Sequence, residues 1–257
     1  MPLQGNNSMR YRSVFISDLH LGTSSCKHEQ LLSFLKQLKN NPPDSLYLVG
    51  DILDLWKLGA GGTWSENDNA VLKSILDLSR QGIKVYYITG NHDDVLRKLP
   101  QFFMVNEIPL HESTSFISKD GRRFLIIHGD QYDKFINNHK LLGIIGSFVY
   151  DATTYLNKVL FYIQDKLSRP HWSLSQYLKQ KAKAFTHVID VFEHSMSESI
   201  KAEGYNGVIC GHIHMPKILE QDQFTYMNCG DWTENCTAIV ETHDGTFHIL
   251  YYKEGQS

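Results

Sequence analysis

Five short segments of this 257-residue chain carry side chains suited to holding divalent metals: Asp18-x-His20, Gly50-Asp51-x-x-Asp54, Gly90-Asn91-His92-Asp93, His128 and Gly211-His212-x-His214. Their donors are carboxylate oxygen, imidazole nitrogen and one carboxamide oxygen, with no thiolate, a set that suits borderline-hard ions. Two such ions about 3.5–4 Å apart lower the pKa of a water between them and neutralise a phosphate during in-line displacement. Asp51 is the natural bridge, because one carboxylate can ligate both. His92 follows Asn91 directly and is placed to face a substrate, where it stabilises or protonates a leaving oxygen. Asp54 and Asp93 read as structural groups or as outer acceptors that orient ligating imidazoles. Any one of these motifs arises often by chance; their joint occurrence in this order is the signal. Five of the 13 histidines fall inside motifs. His28, His111, His139, His171, His187, His194, His243 and His248 read as ordinary.

Each segment starts where a short apolar run stops: residues 13–17, 46–49, 85–88, 124–127 and 207–210. Sites in open parallel α/β sheets form at the carboxyl ends of strands, which would bring distant segments together. Leu31, Leu32, Leu35 and Leu38 predict a helix over 30–39, and Val71, Ile75 and Leu78 another over 67–81. Three strand–loop–helix units in a row predict a mostly parallel, buried sheet. The tail over 224–252 alternates β-rich runs with turns such as Asp244-Gly245 and is expected to complete a second sheet. Between 131 and 204 the pattern becomes helical. Leu141, Ile145, Phe148, Ala152, Tyr155, Val159 and Ile163 form one face, and Leu174, Leu178, Phe185, Ile189, Phe192 and Met196 another. This stretch reads as a helical insertion beside the metal site, within a single domain over 9–257.

Hydrophobic residues at 42%, charged residues at 21% and a net charge of -3 point to a packed core and away from a broad nucleic-acid-binding surface. No run is apolar and long enough to span a bilayer. Met1–Arg12 lacks the apolar core of an export signal, so a cytoplasmic protein is expected, with 1–8 a weakly ordered leader before Met9. The four cysteines are scattered and read as reduced, buried thiols rather than zinc ligands.

The ordered set DxH, GDxxD, GNHD, a strand-end histidine and GHxH resembles the calcineurin-like metallophosphoesterase family. That resemblance implies a four-layer α/β-β/α sandwich and two divalent ions, manganese first and iron or zinc otherwise. It implies Asp18, His20, Asp51 and His214 on one ion and Asp51, Asn91, His128 and His212 on the other, with Asp51 and His92 catalytic. Within the family the chain is most similar to the UDP-2,3-diacylglucosamine pyrophosphatase-like branch, through 15–22, 48–54, the helical insertion and Asn228-Cys229-Gly230-Asp231-Trp232. Members of that branch release UMP and a lipid phosphate, and the well-known ones carry Arg where this chain has His92.

The expected function is therefore hydrolysis of a UDP-linked acylated glucosamine by metal-activated water. The alternatives are a dimetal phosphodiesterase or phosphomonoesterase on another substrate, and a scaffold without catalysis. The expected partner is a phosphorylated small molecule or lipid-linked nucleotide, with no nucleic acid; membrane contact at the inner face and oligomeric state stay open. The insertion helices either pack on the sandwich or form an apolar cleft for acyl chains lined in part by Trp172. Arg169, Lys179 and Lys183 either meet a diphosphate or a membrane, or are solvated surface. Trp232 either stacks on a base or closes the core, and Asp231 is a candidate to position a ligand histidine.

Overall fold

All five strands expected ahead of the motifs are present in the computed structural model, which describes residues 3–4, 10–98, 104–105, 108–135 and 189–252. Among these residues the strands form two sheets. The first has eight strands: β1 (Leu3–Gln4), β2 (Tyr11–Ile16), β3 (Ser45–Val49), β4 (Lys84–Ile88), β5 (Met104–Val105), β6 (Ile108–His111), β12 (Thr237–Thr242) and β13 (Phe247–Tyr251). Their order is β1-β13-β12-β2-β3-β4-β6-β5, with β2, β3, β4 and β6 parallel. The second has five: β7 (Ser113–Ile117), β8 (Arg123–Ile127), β9 (Gly207–Cys210), β10 (Lys217–Gln221) and β11 (Phe224–Asn228). They are ordered β10-β11-β9-β8-β7, with β8, β9 and β11 parallel.

Side chains alternate across a strand, so each central strand serves two cores. Val14, Ile16, Leu46, Leu48, Val85 and Tyr87 point one way and pack with leucines of α1 (His28–Asn40) and with Val71, Ile75 and Leu78 of α3 (Glu66–Arg80). Between them lies the short α2 (Leu55–Gly59). Phe15, Tyr47 and Val49 point the other way and meet Phe116, Phe124, Ile126, Ile209 and Met227 of the second sheet. Phe15 and Tyr47 are in register on neighbouring strands and stack at 4.8 Å, and Tyr86 continues the stack at 4.6 Å. Each fully buried side chain of this kind contributes about 1.5–3 kcal/mol. α3 begins at a capping box: Ser65 Oγ accepts from Asp68 N, and the Asp68 carboxylate accepts from Ser65 N.

The tail departs from expectation. β10 and β11 join the second sheet, but β12 and β13 join the first, with β12 antiparallel between β2 and β13. Burial on both faces explains it: Ala238 and Val240 enter the helix-side core while Ile239 enters the core between the sheets. Part of the expected leader is also paired, Leu3–Gln4 lying parallel to Leu250–Tyr251.

Backbone contacts separate two compact units, Met1–Gln131 with Ser197–Ser257, and Tyr132–Met196. Of the expected insertion, the described parts are residues 131–135 and 189–204, with helical residues 189–202 burying Ile189, Phe192, Met196 and Ile200. The predicted face from Leu141 to Ile163, and Arg169, Trp172, Lys179 and Lys183, lie outside the described residues.

Candidate metal centre

Strand ends bring the motifs together, and main-chain hydrogen bonds fix them. Asp18 N donates to Gly50 O at 3.0 Å, His20 N to Asp51 O at 3.0 Å, Leu55 N to His92 O at 3.1 Å, and Gly211 N to His128 O at 3.0 Å. Five non-glycine motif residues sit in the left-handed backbone region: Asp18 (φ 53°), His20 (50°), Asp51 (53°), His212 (71°) and His214 (55°). Non-glycine residues rarely adopt it, and such strain gathers at functional sites. Three motif glycines have a steric reason: a Cβ on Gly50 would stand 2.2 Å from His128 Nδ1. A Cβ on Gly90 would stand 2.2 Å from Asp51 Oδ1, and one on Gly211 would stand 2.4 Å from Asp18 Oδ2.

The side chains converge in three overlapping triads: Asp18, His20 and His214; His20, Asp51 and His92; Asp51, His128 and His212. Within each, one donor atom per residue lies within 4.8 Å of the others. Asp18 Oδ1 is 3.1 Å from His214 Nε2, Asp51 Oδ2 is 3.1 Å from His128 Nε2, and His20 Nε2 is 3.9 Å from both Asp18 Oδ1 and Asp51 Oδ2. Yet Asp18 Oδ1, His20 Nε2, Asn91 Oδ1 and His128 Nε2 are buried without a well-aligned hydrogen bond. Buried polar atoms normally have one, because leaving them unpaired is costly. Atoms that crowd together at these distances without aiming at one another fit donors aimed at a shared cation. The residues present therefore fit a divalent metal pair.

Outer contacts orient the imidazoles. His128 Nδ1 faces Val49 O at 3.0 Å, which leaves Nε2 for the centre. His20 Nδ1 faces Asp54 Oδ2 at 3.2 Å, and His92 Nδ1 lies 3.1 Å from the same oxygen. The other oxygen of Asp54 caps α2 by accepting from Lys57 N at 2.8 Å. Of the two roles expected of Asp93, structural group or outer acceptor, its contacts fit the structural one. It accepts from Ile52 N, Tyr87 OH and Gly90 N at 3.0, 2.7 and 2.5 Å, stapling two motif loops together. Asp51 Oδ1 accepts from His92 N at 2.8 Å, and Asp18 Oδ2 from His212 N at 3.0 Å.

The electrostatics follow the geometry. Burial opposes ionisation of Asp18, but His214 and His128 hold its carboxyl at about 2. Burial likewise opposes charge on His128 and His214, yet Asp51 lifts the first to about 10 and Asp18 the second to about 9. Asp51 and Asp54 are held below the usual carboxylate range against burial, mainly by His128 and by His20 with His92 respectively. His92 is raised, its own burial outweighed by Asp54 and Asp51. Two adjacent buried carboxylates demand positive charge nearby, and a dication answers the same field that favours imidazolium.

Two undecided residues resolve. Trp232 is fully buried and packs on Phe34 at 5.0 Å, so it closes the core. Asp231 Oδ2 stands 3.9 Å from His214 Nδ1, too far for a hydrogen bond. Its carboxylate organises the 231–235 turn instead, and Asn235 passes the constraint on by donating to His214 O at 3.0 Å. Sequence reasoning missed Trp56, whose ring lies 4.4 Å from that of His92, and it missed Arg97 and Asp130, paired near the centre. An exposed tryptophan two residues past a motif is a usable signal; nothing local marks Arg97.

Residues 11–216 match the family model described as Calcineurin-like phosphoesterase. A Vibrio atlanticus protein named UDP-2,3-diacylglucosamine hydrolase is 27% identical over 241 residues, covering 90% of this chain and 93% of that protein. A Neisseria meningitidis protein of the same name is 27% identical over 252 residues, covering 92% and 97%. A solved archaeal phosphodiesterase aligns with TM-score 0.48 at 16% identity, covering 93% of this chain and 98% of that one.

Proposed function

We propose, from the premise that this chain belongs to the calcineurin-like phosphoesterase family and is a hydrolase of phosphoester bonds, that it cleaves the pyrophosphate of a UDP-linked acylated glucosamine using two divalent ions. The observation that carries the dimetal reading is the convergence of carboxylate and imidazole atoms that are buried, close and unaligned. Asp18, His20, Asp51 and His214 would hold one ion, and Asp51, Asn91, His128 and His212 the other, with manganese the first expectation. When bound, such ions polarise a phosphoryl oxygen and make a nucleophile from water near neutral pH.

The chain's own residues supply the rest. Asp51, which belongs to the clusters with His20 and His92 and with His128 and His212, would supply a carboxylate to both sites. His92, whose Nδ1 lies 3.1 Å from Asp54 Oδ2, would carry a proton to the departing oxygen. The substrate rests on the names of relatives that align with more than nine-tenths of their length, and uridylate and a lipid phosphate would be the products. Residues 131–204 would act as a helical insertion of the one domain, with Arg169, Trp172, Lys179 and Lys183 contacting substrate. Among the described residues no helix is long and apolar enough to cross a membrane. Peripheral contact at a cytoplasmic membrane face suits an acylated substrate.

His92, where well-known pyrophosphatases of the branch carry Arg, favours a second reading: the same chemistry on another phosphodiester or on a phosphomonoester. UMP release by manganese-loaded protein from UDP-2,3-diacylglucosamine, its deacylated analogue and a generic phosphodiester separates the two. Acyl-dependent release supports the first; turnover of the generic ester alone removes it.

A further inference from the structure

We propose that Arg97 is a positioning residue for one of the two metal sites, the one shared by Asn91 and His128. The inference rests on the dimetal reading above.

Four hydrogen bonds leave one guanidinium. Arg97 Nη1 and Nη2 donate to the two oxygens of Asp130, each at 2.9 Å. Nη2 also donates to Thr89 O at 3.0 Å, and Nε to Thr89 Oγ1 at 3.1 Å. Thr89 ends two residues before Asn91, and Asp130 lies two residues after His128. Arg97 thus clips the segment that delivers the carboxamide to the segment that delivers the imidazole. The pair is mostly shielded, with the Arg97 and Asp130 side chains 21% and 11% exposed.

Among the described residues, the side-chain hydrogen bonds of Arg97 go to Thr89 and Asp130 and none to Asp18, His20 or His214. Asp18, His20 and His214 stand on loops fixed by their own contacts, Asp18 N to Gly50 O, His20 N to Asp51 O and Asn235 to His214 O. Val49 O fixes the rotation of the His128 ring, but its distance from Asn91 depends on how the two segments are joined. A planar fork can serve a carboxylate and a second segment at once, whereas an ammonium acts as a point charge. Arg97→Lys therefore keeps the charge and loses the clip.

Manganese uptake by metal-stripped protein tests this, by equilibrium dialysis with metal analysis and by the electron paramagnetic spectrum. Wild type should bind two ions and give a spin-coupled spectrum. Arg97→Lys should bind one ion with unchanged affinity and the other about 10–100-fold more weakly, with the uncoupled spectrum of isolated manganese at limiting metal. Saturating manganese should restore its kcat. Asp130→Asn, which breaks the same fork with little change of shape, should behave alike and replaces Arg97→Lys if that variant does not melt cooperatively. Unchanged affinity at both sites, or equal weakening of both, overturns the role of Arg97. A wild type that binds fewer than two ions overturns the dimetal reading instead.

Discussion

His20 turns Nδ1 toward the carboxylate of Asp54 at 3.2 Å, whereas His128 turns Nδ1 toward the main-chain carbonyl of Val49 at 3.0 Å. Both partners fix a ring and leave Nε2 for the centre, but they differ in kind. Asp54 is a charged side chain that also lies 3.1 Å from His92 Nδ1 and caps α2, so one residue stands beside the proposed ligand His20, the proposed proton donor His92 and a helix start. Val49 O belongs to the end of a buried strand, and no substitution of the side chain removes it. In one half of the centre the His20 ring is faced by a group that mutation can reach, in the other the His128 ring by the fold itself.

The largest effect should come from the residue common to both halves. Asp51→Ala should strip both sites and lower kcat/KM about a thousandfold or more, seen by metal analysis beside kinetics. Retention of both ions at wild-type affinity would remove Asp51 as the bridge. Next, His92→Ala should lower kcat about a hundredfold while metal content stays normal. An emptied site in that variant would make His92 a ligand, and the Asp54 half would then hold a ligand pair.

Asp54→Asn keeps an α2 cap but loses the charge facing His20, and should weaken metal binding about 10–100-fold. Val49→Ala should leave metal affinity unchanged and cost about 2 kcal/mol of unfolding free energy, measured in urea, from lost buried methyls. Equal loss of metal affinity in these two variants would erase the distinction between the halves.

The smallest expected effect is in pH dependence. His128 and His214 are raised from 6.5 to about 10 and about 9, so their contribution to stability is complete below pH 6.5 and lost as pH rises through those values. Asp18 is lowered from 3.8 to about 2, so its contribution is present above pH 3.8 and lost as pH falls toward 2. Chelator-treated protein should melt highest between pH 3.8 and 6.5. Metal affinity should climb as pH rises toward about 9, because the ions displace protons from the imidazoles. A flat melting profile would show that neither histidine carries its extra proton.

The centre was legible because each motif follows an apolar run of strand length, and strand ends are where such sheets collect function. Sheet membership was less so. The residues of β12 announce a strand, but whether it lies beside β2 or β11 depends on partners more than a hundred residues away. Asp54 was recognisable as an outer acceptor by its spacing from Asp51. For Asp93 both readings stayed open, because spacing gives proximity to the imidazoles, not the direction in which the carboxylate points, and the structural one is what its contacts show. Arg97 carries no motif: a surface-type residue on a short 3-10 helix becomes informative only when Asp130, 33 residues on, is seen against it.

The left-handed angles at Asp18, His20, Asp51, His212 and His214 bear on how far the site is formed in advance. Each costs on the order of 1 kcal/mol, and the cost is sustained by the chain's own loop-to-loop hydrogen bonds. The cage is preset, like a gauge cut before the part is offered to it. Were divalent ions held there, the main chain that carries their donors would already be in place, and loading would move it little.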